Sequence, residues 1–169
     1  METARRARRE DHEAITALVA AARREMEGAR GGALLVASLE HPGRRTGVAS
    51  RHGDPVTAAD AGLDLGGIGD GCVVVGAVDE VTVGVAAADV AEIGAGRVAT
   101  IGLLYVDPAA RGVGVGELML DEIQTWCAAQ GCTGVDVPVL PGDRATKSFL
   151  EGHGYVARLL TLHRELGHP

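Results

Sequence analysis

The sequence predicts an α/β domain, and three observations carry that prediction. An apolar run at 101–106, Ile-Gly-Leu-Leu-Tyr-Val, reads as a buried strand closed by Asp107-Pro108. Residues 72–78 and 81–88 are β-rich runs joined by Asp79-Glu80, the pattern of a hairpin. Two other stretches place their apolar residues at helical spacing: Ile15, Leu18, Val19 and Ala22 in the first, and Val115, Leu118, Met119, Ile123, Trp126 and Cys127 in the second. The length of 169 residues suits a single domain, 1–169, with a real core. Apolar residues make up 46% of the chain but aromatics only 2%, so that core must be built from Val, Leu, Ile and Ala.

Taken in order, residues 3–8 form a short extended start. Asp11 stands where it can cap the first helix, which Gly28 ends. Residues 28–71 are punctuated by glycines and two prolines, and the apolar piece 33–39 fits a helical turn or a strand equally well. A structureless loop of that length is unusual inside a compact domain, so the segment is expected to hide some order. After the hairpin, a loop at 89–96 leads into the central strand 97–106. The helix 115–130 is stopped by Gly131 and followed by a strand 133–140, in which Val135, Val137 and Val139 alternate with Asp136 and Pro138. Proline cannot donate to a sheet ladder, so Pro138 belongs at an edge or where two strands part. Asp143 caps a helix 144–151, Gly152 and Gly154 terminate it, and 155–166 reads as a final strand.

The chemistry is concentrated where the central strand hands over to the second long helix, at Arg111-Gly112-Val113-Gly114-Val115-Gly116. The first N–H groups of a helix have no partner inside it, and the helix dipole is positive at that end. Glycines let another molecule's oxygens approach those donors, so a phosphate is the natural guest. A Walker loop ends in Gly-Lys-Ser/Thr, yet the only lysine is Lys147. A dinucleotide fingerprint needs a third glycine where Glu117 stands. What remains is R-x-x-G-x-G at Arg111, Gly114 and Gly116, preceded by L-x-V-x-P at Leu104, Val106 and Pro108.

This pattern closely resembles the acyl-coenzyme A signature of the GNAT superfamily of N-acetyltransferases. The stretch Asp143…Phe149-Leu150-Glu151…Gly154-Tyr155 is similar to the family's second motif. The resemblance implies a GNAT-like α+β fold: a mixed, mostly antiparallel central sheet flanked by helices, with splayed central strands that Pro138 would suit. It implies acetyl-coenzyme A as acyl donor, held by Leu104, Tyr105, Val106, Arg111, Gly112, Val113, Gly114, Val115, Gly116, Asp143 and Phe149. The acceptor would be the primary amine of a small molecule or peptide, and a homodimer is compatible with the family. Three departures stand out. Asp143 replaces the usual asparagine, Leu150 replaces the tyrosine that protonates the departing thiolate, and the tail after Tyr155 is short.

For catalysis, Tyr105 beside Val106 is a candidate to return a proton through a water, although a strand tyrosine also serves as core or pocket wall. Glu92 and Asp89, just before the central strand, are candidate bases whose plainer reading is as loop acids. His153, near a helix end, reads as a surface residue. Two alternatives stay open: a coenzyme-binding module with little turnover, motivated by Leu150, and a nucleotide-binding α/β protein resting on the glycines alone.

Charge and composition narrow the partners. The net charge is −7, and the basic run at residues 5–9 is followed at once by Glu10, Asp11 and Glu13, which argues against a nucleic-acid arm. Residues 52–96 carry acids and neither Arg nor Lys, a surface that would attract a cationic amine or simply stay solvated. The six histidines lack ligand spacing, so no metal is expected. Three cysteines without a C-x-x-C pair, and no membrane span or secretory segment, lead to the expectation of a cytoplasmic protein.

Overall fold

The computed structural model describes residues 1–33, 35–36, 71–94, 96–162 and 164. In chain order these form β1 (Glu2–Arg6), a 3₁₀ turn (Arg9–Asp11), α1 (His12–Glu27), β2 (Cys72–Val78), β3 (Val81–Ile93) and β4 (Gly96–Val106). A 3₁₀ turn (Pro108–Ala110), α2 (Val115–Ala129), β5 (Cys132–Asp136) and α3 (Arg144–Gly152) follow. The strands lie in sequence order in one sheet, antiparallel from β1 to β4, with β5 parallel to β4. This is the mixed, mostly antiparallel sheet flanked by helices that the sequence motifs implied.

Alternation along the strands divides the core between the two faces. Val73, Val75, Val85 and Ala87 pack with Ile15, Leu18, Val19 and Ala22 of α1. Cys72, Val74, Ala86 and Ala88 pack with Met119, Leu120, Ile123 and Cys127 of α2, joined by Leu150 of α3. In β4 the register slips: Ala87 faces Leu103 but Ala88 faces Ile101, leaving Gly102 as an extra residue. The bulge reverses the sides of β4. Ala99 and Ile101 join the α2 face, whereas Leu103 and Tyr105 join the α1 face.

The hairpin turn falls at Asp79 and Glu80 as expected, both with positive φ (46° and 67°), the conformation of a tight turn that usually selects glycine or asparagine. Asp79 also accepts an ion-paired hydrogen bond from the Met1 amino group. The start of the chain is a true strand, edge-paired to β2. Asp11 departs from its expected task. It precedes α1, but its carboxylate makes no cap; it accepts from both guanidinium nitrogens of Arg5 (2.7 and 2.8 Å) and from the Arg8 N–H (2.7 Å). A buried carboxylate is satisfied better by a guanidinium fork and an amide together than by one helix N–H.

Four expectations need correction. Residues 89–93 belong to β3 rather than to a loop, because they pair with β4 as far as Ile93↔Gly96. On α2, Leu120 is fully buried while Leu118 is 38% exposed, so the apolar stripe lies slightly rotated from the predicted one. The strand expected at 133–140 ends at Asp136, since its ladder with β4 stops at Thr100↔Asp136, before Pro138. The final strand expected at 155–166 is absent from residues 155–162, where Val156, Leu159, Leu160 and Leu162 are exposed. Apolar composition makes a segment able to enter a sheet, but a strand exists only where a neighbour takes its N–H and C=O groups. The expectation of hidden order at 28–71 falls largely on residues 37–70, outside the described residues.

Candidate active site

The ladder between β4 and β5 covers only Arg97 to Thr100. Beyond it β4 continues to Val106 with no described strand on that side. The main-chain groups of Leu104 and Val106 face that gap. Asp107 N–H donates to Val83 O (2.8 Å) and the Tyr105 carbonyl lies toward Gly84 of β3, so alternate residues 104 and 106 turn the other way. The two central strands are thus splayed, and the opening points at the end of β4.

The turn that follows is built to expose amides. Asp107 accepts from the Ala109 N–H (2.9 Å) and, with Pro108, starts the 3₁₀ turn that reverses the chain. Gly112 (φ 83°) and Gly114 (φ 94°) take left-handed conformations that orient successive N–H groups to one side. The first main-chain bond of α2 runs from Leu118 N–H to Gly114 O (3.2 Å). Among the described residues, the N–H groups of 112–117 have no protein partner. A Cβ on Gly112 or Gly114 would meet none of the described residues within 4 Å. Orphan donors, a positive helix end and open space together fit an anion such as a diphosphate.

The expected site residues gather here with two exceptions. Gly112, Val113, Gly114, Val115 and Gly116 form the cradle; Val115 is buried as its anchor, and Val113 is exposed. A Cβ on Gly116 would lie 3.6 Å from Val106 and 3.9 Å from Phe149, so both flank the cradle. Phe149 also packs on His153, ring centroids 4.5 Å apart, and His153 Nδ1 lies 2.7 Å from the Phe149 carbonyl oxygen. Leu104 and Val106 pack on the α2 face. Asp143 caps α3, accepting from Thr146 N–H (3.0 Å). Leu150 is buried in the α2-side core at 3% exposure.

The first exception is Arg111. Its Nε donates to Val106 O (2.9 Å), and its terminal nitrogen donates to both carboxylate oxygens of Glu25 on α1 (2.8 and 3.0 Å). Its guanidinium lies over the Tyr105 ring, 5.6 Å from the centroid. Arg111 therefore stands at the mouth of the splay on the α1 side rather than in the cradle. Burial, with the nearby Glu25 carboxylate, raises the Tyr105 pKa above its usual range, so the phenol keeps its proton at neutral pH.

The second exception is Glu92. It is exposed and pairs with Arg97, nine residues along β4 from Val106, roughly 30 Å at strand rise. Asp89 sits opposite Thr100 and accepts from Gly71 N–H (3.0 Å). The pairing of Glu25 with Arg111 is a contact that sequence reasoning missed; nothing local marks one acid among several on a helix surface.

Among the described residues, no helix is long and apolar enough to cross a membrane, and no group of three or more metal-ligating side chains occurs. No curated protein sequence matches the chain significantly. Solved structures share its fold at low identity. An acetyltransferase from Trypanosoma brucei is 17% identical, with 98% of this chain and 100% of that one covered and a TM-score of 0.59. A putative acetyltransferase from Agrobacterium tumefaciens is 18% identical (97% and 99% covered, TM-score 0.61). An aminoglycoside acetyltransferase from an uncultured soil metagenomic sample, in complex with sisomicin, is 14% identical (99% and 97% covered, TM-score 0.57). The model of the acetyltransferase (GNAT) family matches residues 51–155, more than half of the chain, and spans β2 to the end of α3. The splayed strands, the amide cradle and this match agree: the chain belongs to the GNAT acetyltransferase family.

Proposed function

We propose that this protein, acting as one domain, transfers an acetyl group from acetyl-coenzyme A to a primary amine. The observation that carries the reading is the run of amides at 112–117, which have no partner among the described residues, in a turn beside the splayed end of β4 where a Cβ on Gly112 or Gly114 would meet none of those residues. The coenzyme supplies an acyl group activated as a thioester. The N–H groups of Gly112, Val113, Gly114, Val115 and Gly116 hold its diphosphate, with Arg111 within reach on the same turn. Phe149 and Val106 wall the path from the cradle into the gap, where the main chain of Leu104 offers a donor and an acceptor to the arm.

An N–H there, at Val106 or its neighbour, takes the carbonyl oxygen as charge builds on it. The neutral amine nitrogen attacks the carbonyl carbon and loses a proton to water, the carbon–sulfur bond breaks, and sulfur leaves as thiolate. Fixing both partners in one cleft supplies much of the rate. Leu150 cannot protonate the thiolate, but a thiol with a pKa of about 8.5 is a tolerable leaving group near neutrality. Tyr105, protonated and adjacent to Val106, is the residue we assign to returning the proton. Glu92, on β3 opposite Arg97, lies too far from Val106 to share in these steps.

Incubation with acetyl-coenzyme A and a panel of small amines, amino acids, aminoglycosides and peptides tests the reading by thiol release. Amine-dependent release is expected, with Tyr105→Phe lowering it about tenfold or more. Buried Leu150 favours the second reading, a coenzyme-binding module with little turnover. Tight coenzyme binding without release across the panel would select it.

A further inference from the structure

Three features that recognise cations converge on one point at the mouth of the splay. They are the Glu25 carboxylate, the face of the Tyr105 ring and the Val106 carbonyl oxygen, and the guanidinium of Arg111 now fills the space between them. We propose that this point is the ammonium subsite for the acceptor, masked by Arg111 until coenzyme binds. The proposal rests on the coenzyme reading above and adds the residues that recognise the amine.

The Arg111–Glu25 pair is half-exposed, at 46% and 50% of the two side chains, so water competes with it and it contributes only about two- to fivefold to an equilibrium. A diphosphate in the adjacent amide cradle offers Arg111 a doubly charged partner instead. Arg111 belongs to the same turn as Gly112 and Gly114, so its move to that partner needs no change in the sheet. Departure of the guanidinium leaves the carboxylate, the ring face and the carbonyl oxygen facing a vacated position at the end of β4. The amine is drawn there as ammonium and passes one proton to water, through the half-exposed mouth of the site, before its free lone pair attacks. The same guanidinium thus makes binding ordered, coenzyme before amine.

Two titrations of the full chain test this, one with coenzyme A and one with spermidine as the cationic probe. Because coenzyme must break the Arg111–Glu25 pair, Glu25→Gln should tighten coenzyme A binding about two- to fivefold. In an Arg111→Gln background the same change should have no effect. Spermidine should bind several-fold more tightly when coenzyme A is saturating, and Glu25→Gln should remove that gain. Arg111→Gln should reveal the spermidine site without coenzyme. Unchanged or weaker coenzyme A binding by Glu25→Gln overturns the mask, and spermidine binding that is absent or indifferent to Glu25 overturns the subsite. If coenzyme A fails to bind the unaltered protein, the coenzyme reading falls, while the Arg111→Gln arm still decides whether the cation subsite exists.

Discussion

The body of the sheet and the open end of β4 use the same residue types for opposite purposes. In the body, Gly76 and Gly84 are notches into which α2 sinks: a Cβ on Gly76 would stand 2.6 Å from Val115, and one on Gly84 would stand 2.7 Å from Met119. At the open end, a Cβ on Gly112 or Gly114 would touch none of the described residues. Two of the arginine–carboxylate pairs divide in the same way. Asp11 is 6% exposed and holds Arg5 together with the Arg8 amide, whereas the Glu25–Arg111 pair is open to water. Packing removes alternatives in one region, and the other keeps donors, space and charges available to a second molecule. A glycine or an ion pair takes its meaning from what surrounds it.

The largest expected effect breaks the open end. Gly114→Glu places a side chain and a negative charge in the cradle, and losing two charge-assisted hydrogen bonds at about 1.5 kcal/mol each weakens coenzyme A by about a hundredfold. Gly114→Ala bears a similar strain at positive φ without the charge, so a much smaller loss in calorimetric affinity separates repulsion from strain. Equal losses from both variants would mean that the backbone conformation matters and the bound charge does not.

Next comes the notch. Gly84→Ala forces Met119 or the strand to shift, which should cost about 2 kcal/mol and lower Tm by roughly 4–8 °C. If thermal unfolding of Gly84→Ala matches the parent, α2 does not depend on that close approach.

The smallest effect compares the two ion pairs. The Arg5 guanidinium and the Arg8 N–H hold the Asp11 pKa below its ordinary 3.8. A lowered folded-state pKa contributes stability that is complete above the unfolded value and is lost as pH falls through the folded one. Asp11→Asn should therefore cost about 1–2 kcal/mol at neutral pH, discounted because Arg5 is 39% exposed, and the cost should fade below about pH 4. Glu25→Gln should change stability by less than about 0.5 kcal/mol, since its pair is solvent-screened. Denaturant titration at pH 7 and pH 3 reads both. Equal costs for the two variants would erase the distinction between a structural pair and an exchangeable one.

Much of this was legible in the order of residues. The strand 101–106, the hairpin at Asp79-Glu80, the apolar stripe of α1 and the glycine turn depend on neighbours within a few positions, and periodicity and turn chemistry report such neighbours directly. The cradle was readable for the same reason: a strand end, left-handed glycines and a helix start are contiguous, so their amides converge whatever the rest of the chain does. Pro138 marked an edge or a parting of strands because a missing N–H is a property of the residue itself, and the ladder between β4 and β5 stops two residues before it.

The tertiary structure decided what no window of sequence contains. Whether 155–162 forms a strand depends on a partner edge. Gly102 reads as one more residue in an apolar run until pairing with β3 makes it a bulge and moves Tyr105 to the α1 face. Glu92 sat only a few positions from the central strand in sequence, but the hairpin returns it to the end remote from Val106. Glu25 and Arg111, 86 positions apart, meet because α1 packs across the sheet. Local conformation follows from the residues and their spacing, whereas a site assembled from distant elements follows from which faces the core brings together.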